Sequence, residues 1–238
     1  DRKHISAALE SFYNSNSTLF PILGEAGQGK TNQLCFWTER LIEEGKCVIV
    51  FSSTDFTSTT LDCKLKNIFG FSVRKDTSRL IESLHKKAEQ NNDYIYIFFD
   101  AINECLHYKD EEQLMGVIAL YKAIVDIFAD KKYNRIKVVI SCRSYTWKHA
   151  LNRIAQQYQE FTITPKSDNL SAIRGFTSEE LEQAYTIYGN LYQMATAFEE
   201  LTPTSKIRLK DPLILKIACT NYLCKKLPEY NKDFTSVA

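Results

Sequence analysis

Short apolar runs alternate with stretches of helical periodicity along the first two thirds of the chain. Leu19–Leu23, Cys47–Phe51, Tyr94–Phe99 and Ile136–Ile140 are strand-length and almost free of polar interruptions, and a weaker run, Phe161–Ile163, follows them. Continuous apolar strands suit the interior of a parallel sheet, where both faces are covered. Between these runs, Thr31–Glu44, Thr77–Gln90 and Glu111–Ala129 read as helices. The last places Leu114, Val117, Tyr121, Val125 and Phe128 at spacings of three and four, which predicts one buried face. Gly45 stands where the first of these helices should stop. A short helix over Ile5–Tyr13 precedes the first strand. The rhythm predicts an α/β fold with a doubly wound, mainly parallel five-stranded sheet. Chemistry in such sheets gathers at the carboxyl ends of the strands.

After about Pro165 the strand signal stops. Phe176-Thr177-Ser178-Glu179-Glu180-Leu181 reads as a helix start, with Thr177 as N-cap and Glu180 closing a capping box. Ile187–Leu201 and Pro212–Leu223 also read as helical, Pro212 suiting a first turn. The expected organisation is therefore an α/β core over residues 1–165 and a small all-α subdomain over 166–238, cut short by the end of the chain. The start at Asp1 without an initiator Met is read in the same way, as a piece of a longer protein.

Charge and cysteine content narrow the class. Thirty basic residues against 29 acidic ones leave +1, too little for a global field that would draw in nucleic acid or anionic membrane. Short basic runs, Lys131-Lys132 and Lys206–Lys210, read as solvated faces, so nucleic-acid binding is not expected. No apolar stretch is long enough for a membrane span. Seven cysteines form an odd, scattered set without a Cys-x-x-Cys pair, which predicts free thiols and a cytoplasmic setting. The four histidines fit no metal-ligand spacing.

Glycine is scarce. Only eight are present, where average usage would give roughly 17. Three of the eight fall in Gly24-Glu25-Ala26-Gly27-Gln28-Gly29-Lys30-Thr31, which fits G-x-x-x-x-G-K-[ST] between a predicted strand and a predicted helix. In that pattern successive backbone N–H groups wrap a phosphate chain at a helix N-terminus. Lys30 then reaches the β- and γ-phosphates and the Thr31 hydroxyl joins the Mg²⁺ shell. The cofactor-binding set is Gly24 to Thr31 with the next residue, Asn32. The run Tyr94–Phe99 delivers Asp100 at a strand end, a candidate Mg²⁺ ligand acting through water, and Glu104 follows as candidate base for an attacking water. A salt-bridged surface role is the alternative for Glu104. Val138–Ser141 ends in Cys142-Arg143-Ser144, and a cation there would face the γ-phosphate. Pairing of Arg143 with an acid such as Glu104 is the competing reading. Cys142 lacks a Cys/His/Asp set around it and reads as a buried thiol.

These motifs together resemble the STAND class of P-loop ATPases, NACHT-like members above all. Gly24–Thr31, Ile95–Glu104 with its Asp-small-x-x-Glu ending, and Ser141–Ser144 carry the likeness. Gly175–Glu180 is similar to the GFT-x-E-E start of that family's helical lid, and Asp211–Leu215 resembles its x-P-L-L-L segment. The resemblance spans about residues 15–225. It implies an ATP/ADP switch with slow Mg²⁺-dependent hydrolysis, in which Pro212 packs on the adenine side. It also implies an N-terminal effector, a C-terminal sensor region, self-association on activation, and a role in defence or innate-immune-type signalling. Asn103 stands where such proteins often carry a second acid, leaving Glu104 as the candidate base and hydrolysis slow. Two rivals remain open: an AAA+-type ATPase that remodels protein or nucleic acid, and a nucleotide-independent scaffold.

Overall fold

The computed structural model describes residues 3–56, 59–105, 111–163, 172–222 and 224–227. The chain divides into two compact units: Asp1–Glu25 with Lys30–Ile173, and Ala26–Gly29 with Arg174–Ala238. The boundary expected at 165/166 lies outside the described residues.

The first unit is built on four parallel strands, β1 (Leu19–Leu23), β2 (Cys47–Ser52), β3 (Ile95–Asp100) and β4 (Ile136–Cys142), in the order β1-β4-β3-β2. Strand parity sends side chains to two separate cores. Phe20, Ile22, Tyr96, Phe98 and Val139 pack with α1 (Lys3–Tyr13) and α2 (Lys30–Glu43) through Ile5, Leu9, Phe12, Leu34 and Trp37. Leu19, Ile97, Phe99, Val138 and Ile140 face the opposite way. They meet α3 (Leu61–Ile68), α4 (Thr77–Gln90) and α5 (Glu111–Phe128) through Leu65, Leu80, Ile81, Val117, Tyr121, Ile124 and Phe128. Helices on both faces make the sheet doubly wound, and β1, β3 and β4 are buried almost throughout. The edge strand β2 is exposed or half-buried except at Phe51.

Among the described residues one strand fewer forms than the sequence predicts. Phe161–Ile163 reaches β1 only as an isolated bridge, Leu19 to Thr162, with a second bridge from Leu23 to Ala172. The reason sits in β1. On that edge Leu19 N–H donates to Phe161 O, Leu19 O accepts from Ile163, and Leu23 O accepts from Ile173. The residue of the same parity between them is Pro21, which has no N–H to continue the ladder.

Lys137 on β4 is fully buried and points to the α1 side. Its ammonium donates to Ser15 O at 2.6 Å, Ser17 O at 2.9 Å and Phe12 O at 3.4 Å, tying off the end of α1. Burial, with the Arg135 charge, pushes its pKa down to about 8. At its own C-terminus α2 closes on Gly45, with Gly45 N–H donating to Ile42 O and Lys46 N–H to Leu41 O. On α5, Val117, Tyr121, Val125 and Phe128 are buried as expected, but Leu114 is exposed, one turn before the face meets the core. Beyond β4 a helical segment runs through α6 (Ser144–Thr146), a π turn over Trp147–Leu151 and α7 (Asn152–Gln157).

In the second unit, α8 (Ser178–Tyr192) opens with the predicted capping box: Thr177 Oγ1 accepts Glu180 N–H, and the Glu180 carboxylate accepts Thr177 N–H. The helix expected over Ile187–Leu201 is not separate. α8 runs through Ile187 and stops at Tyr192, where Gln193 turns left-handed (φ +50°), and only a 3₁₀ turn, Phe198–Glu200, follows. α9 (Pro203–Leu209) starts from the Thr202 cap, and α10 (Pro212–Asn221) from Asp211, whose Oδ1 accepts the amides of Leu213 and Ile214. The predicted end of α10 at Leu223 lies outside the described residues. Leu181, Tyr185, Leu201, Leu209, Leu215 and Cys219 form the small core of this unit.

Candidate functional site

Sheet register brings three strand ends together. Leu23 pairs with Cys142, and Phe99 with Ile140, so Gly24, Asp100 and Arg143 leave the sheet at one edge. Because β4 lies between β1 and β3, Arg143 emerges between Gly24 and Asp100.

The loop has the backbone that phosphate binding requires. Gly27 and Gly29 adopt φ +75° and +89°, values side chains resist, so the chain can turn its amides inward only with glycine at these positions. Within the second unit, a Cβ on Gly27 would also come to 2.8 Å from Leu213 Cβ. Lys30 begins α2 and folds back over the loop, donating to Gly24 O and Glu25 O at 2.8 Å each. Half-burial pushes its pKa down and the nearby Arg143 charge adds to this, opposed by Glu25 and Asp100.

Thr31 Oγ1 donates to Asp100 Oδ2 at 2.8 Å, and Ser141 Oγ donates to Asp100 Oδ1 at 2.6 Å. Ser141 in turn accepts Ala101 N–H at 2.7 Å. Ala101 is held left-handed (φ +52°, ψ +44°), a strain of ~1 kcal/mol for a residue with a Cβ, which lets the chain leave β3 sharply after Asp100. The 3₁₀ turn Ile102–Glu104 follows, and Glu104 Oε1 lies 3.0 Å from Arg143 Nη2, both side chains about half exposed. The pairing anticipated as a rival role for both residues is therefore present. Asn103 is buried, and its Oδ1 accepts the Arg143 N–H at 3.0 Å.

Mg²⁺ prefers a few oxygen ligands and keeps several waters, completing its shell with substrate phosphates. Thr31 Oγ1 and Asp100 Oδ2, already in contact beside the loop, are such oxygens. Among the described residues no cluster of three or more His, Cys, Asp or Glu could hold a metal by itself. A shared protein–phosphate site fits the residues present. Asn32 is exposed on the first turn of α2, and Pro212 is the first residue of α10 in the second unit. Cys142 is fully buried with its thiol pushed up to about 12, so it stays protonated and inert. No helix among the described residues is long and apolar enough to cross a membrane.

Two residues of the site escape a reading of the sequence as contributors: Ser141 and Asn103. The available signal is a hydroxyl ending an otherwise apolar strand, and an amide beside the candidate base.

No protein-family model matches the chain, and no curated protein matches it in sequence. Solved structures do. The Walker-type ATPase PABY2304 of Pyrococcus abyssi superposes with a TM-score of 0.53 at 13% identity, over 94% of this chain and 67% of that one. Cdc6p from Pyrobaculum aerophilum gives a TM-score of 0.50 at 12% identity, over 92% and 60%. The chain spans 67% of the first and 60% of the second. At such identities the likeness concerns the fold alone, which this chain shares with that Walker-type ATPase.

Proposed function

We propose that this chain is the ATP/ADP-binding switch module of a STAND/NACHT-like signalling protein. The observation that carries the nucleotide reading is the contact of Thr31 with Asp100 next to a Lys30 ammonium turned back on the carbonyls of Gly24 and Glu25. The amides of the loop would bind the phosphates, and Lys30 would exchange the carbonyls of Gly24 and Glu25 for phosphate oxygens. Thr31 and Asp100 would hold Mg²⁺, which when bound offsets the negative charge of the β- and γ-phosphates. Arg143 would release Glu104 to meet a γ-phosphate, and Glu104 would then be free to orient water and take its proton.

In this reading Glu104 is captured by Arg143 until a triphosphate competes for the guanidinium, and with Asn103 beside it a single acid does the work. Slow, regulated hydrolysis follows, suited to a switch. The family resemblance adds the remaining parts: a helical lid over residues 166–238 with Pro212 on the adenine side, fused effector and sensor regions, self-association on activation, a cytoplasmic setting and a role in defence signalling. The rival reading is a motor-type ATPase that remodels protein or nucleic acid. Identifying the nucleotide released when the purified chain is denatured, together with its steady-state turnover, separates the two. Retained ADP with slow turnover supports the switch; fast constitutive turnover supports the motor. Glu104→Gln should keep ATP affinity within a few-fold of wild type and retain unhydrolysed ATP. Hydrolysis at the wild-type rate in that variant would remove Glu104 from the mechanism.

A further inference from the structure

We propose that Asn103 is a positioning residue: it fixes the backbone of Arg143 so that the guanidinium can change partner from Glu104 to a γ-phosphate without losing its place. The inference rests on the nucleotide-binding reading and deepens it, assigning the residue on which discrimination between ATP and ADP depends.

Arg143 is held at two points by one short turn. Its backbone N–H is donated to Asn103 Oδ1 at 3.0 Å, and its guanidinium meets Glu104, the next residue along, at 3.0 Å. Since a backbone N–H can only donate, the Asn103 atom facing it must be the carbonyl oxygen, so the orientation of the amide is fixed by chemistry. The Arg143 carbonyl is taken as well, by Trp147 N–H at 3.0 Å. On the other side the turn is closed by Glu104 N–H to Ala101 O at 2.8 Å.

The two ties differ in strength and in purpose. The Arg143–Glu104 pair has side chains 46% and 53% exposed, so it is hydrated, screened by salt and cheaply exchanged. Asn103 is only 9% exposed, so breaking its bond leaves a polar group without water to replace the partner. A guanidinium that leaves Glu104 therefore swings from a fixed Cα. Aspartate at 103 could accept the same N–H, but it would set a second negative charge beside Glu104 and the phosphates. Asparagine does the positioning without that charge.

The test is calorimetric titration of the full chain with MgATP and with MgADP, for wild type, Asn103→Ala, Asn103→Asp, Arg143→Ala and the Asn103→Ala/Arg143→Ala double variant. Asn103→Ala should lower the preference for ATP over ADP about tenfold, the scale of one charged hydrogen bond misplaced, with ADP affinity unchanged. Asn103→Asp, which keeps the acceptor but adds a charge, should lose less of the preference than Asn103→Ala, and Asn103→Ala should add nothing once Arg143 is gone. Equal losses for ATP and ADP, an unchanged preference, or additive effects in the double variant would each overturn the proposal. Hydrogen exchange at the Arg143 amide needs no variant to fold: protection in wild type is expected, and free exchange would also overturn it. Failure of the underlying reading looks different, because wild type itself would then bind neither nucleotide.

Discussion

Replacing Ser141 with alanine removes one hydroxyl and should loosen two neighbours. In wild type that hydroxyl is fully buried, donates to Asp100 Oδ1 at 2.6 Å and accepts Ala101 N–H at 2.7 Å. Loss of a hydrogen bond to a carboxylate costs ~1.5–3 kcal/mol, and an orphaned backbone N–H ~1–3 kcal/mol. The two overlap, because they share one site, so a loss of ~2–4 kcal/mol is expected. That is a large part of the ~5–15 kcal/mol that holds a typical domain folded. Urea unfolding followed by tryptophan fluorescence reads this directly, since Trp37 and Trp147 are both buried in the unit that contains Ser141. A second readout addresses the site. Asp100 would keep Thr31 as its remaining described partner and lose its fixed orientation, so Mg²⁺ should strengthen nucleotide binding less than in wild type, with Mg²⁺-free affinity little changed. An unfolding free energy within ~0.5 kcal/mol of wild type, or an undiminished Mg²⁺ effect, would show that Ser141 does not hold Asp100 in place.

Two further perturbations test the scaffold around the site. Lys137 titrates near 10.5 in an unfolded chain and is held down to about 8 in the fold. Between those values the unfolded chain binds more protons, so this residue's contribution to stability rises with pH across the window. Subtracting the stability of Lys137→Met from that of wild type should leave a difference that grows between about pH 8 and 10.5, and a flat difference would contradict the burial argument. Ala101→Gly should relieve the left-handed strain after Asp100 and raise the unfolding free energy by ~0.5–1 kcal/mol, after allowance for the looser unfolded chain; destabilisation in urea would show that the alanine methyl group matters more than the strain.

Much of this site is legible in the amino-acid sequence, because its chemistry is written in residue types that have few other uses. A glycine-rich loop ending in Lys-Thr between a strand and a helix, and an acid ending an apolar strand, are local signals, and the register of β1, β3 and β4 brings them together. What is not legible depends on pairing. The strand order that inserts β4 between β1 and β3 is a tertiary fact. It sets the strand end of Arg143 between those of Gly24 and Asp100, a neighbourhood that no single strand announces. Pro21 does carry a readable warning, but its effect on a fifth strand depends on which parity of β1 faces that edge. Leu114 has the right periodicity for the α5 core and yet lies exposed, because periodicity gives a face and not its extent. Gln193 ends α8 by turning left-handed without a glycine or proline to announce it. The short α3 carries a usable signal in its Thr60 cap, whose Oγ1 accepts Cys63 N–H, but at eight residues it falls below the length at which periodicity speaks.

On the proposed reading, Gly24–Thr31 binds the phosphates of a nucleotide through Lys30. Isothermal calorimetry of MgATP binding to wild type and to Lys30→Ala tests it most directly. Lys30 is half-buried, so its removal takes away a charge that water cannot easily replace, and affinity should fall by at least about a hundredfold. Equal affinity of the two proteins for MgATP would contradict the account.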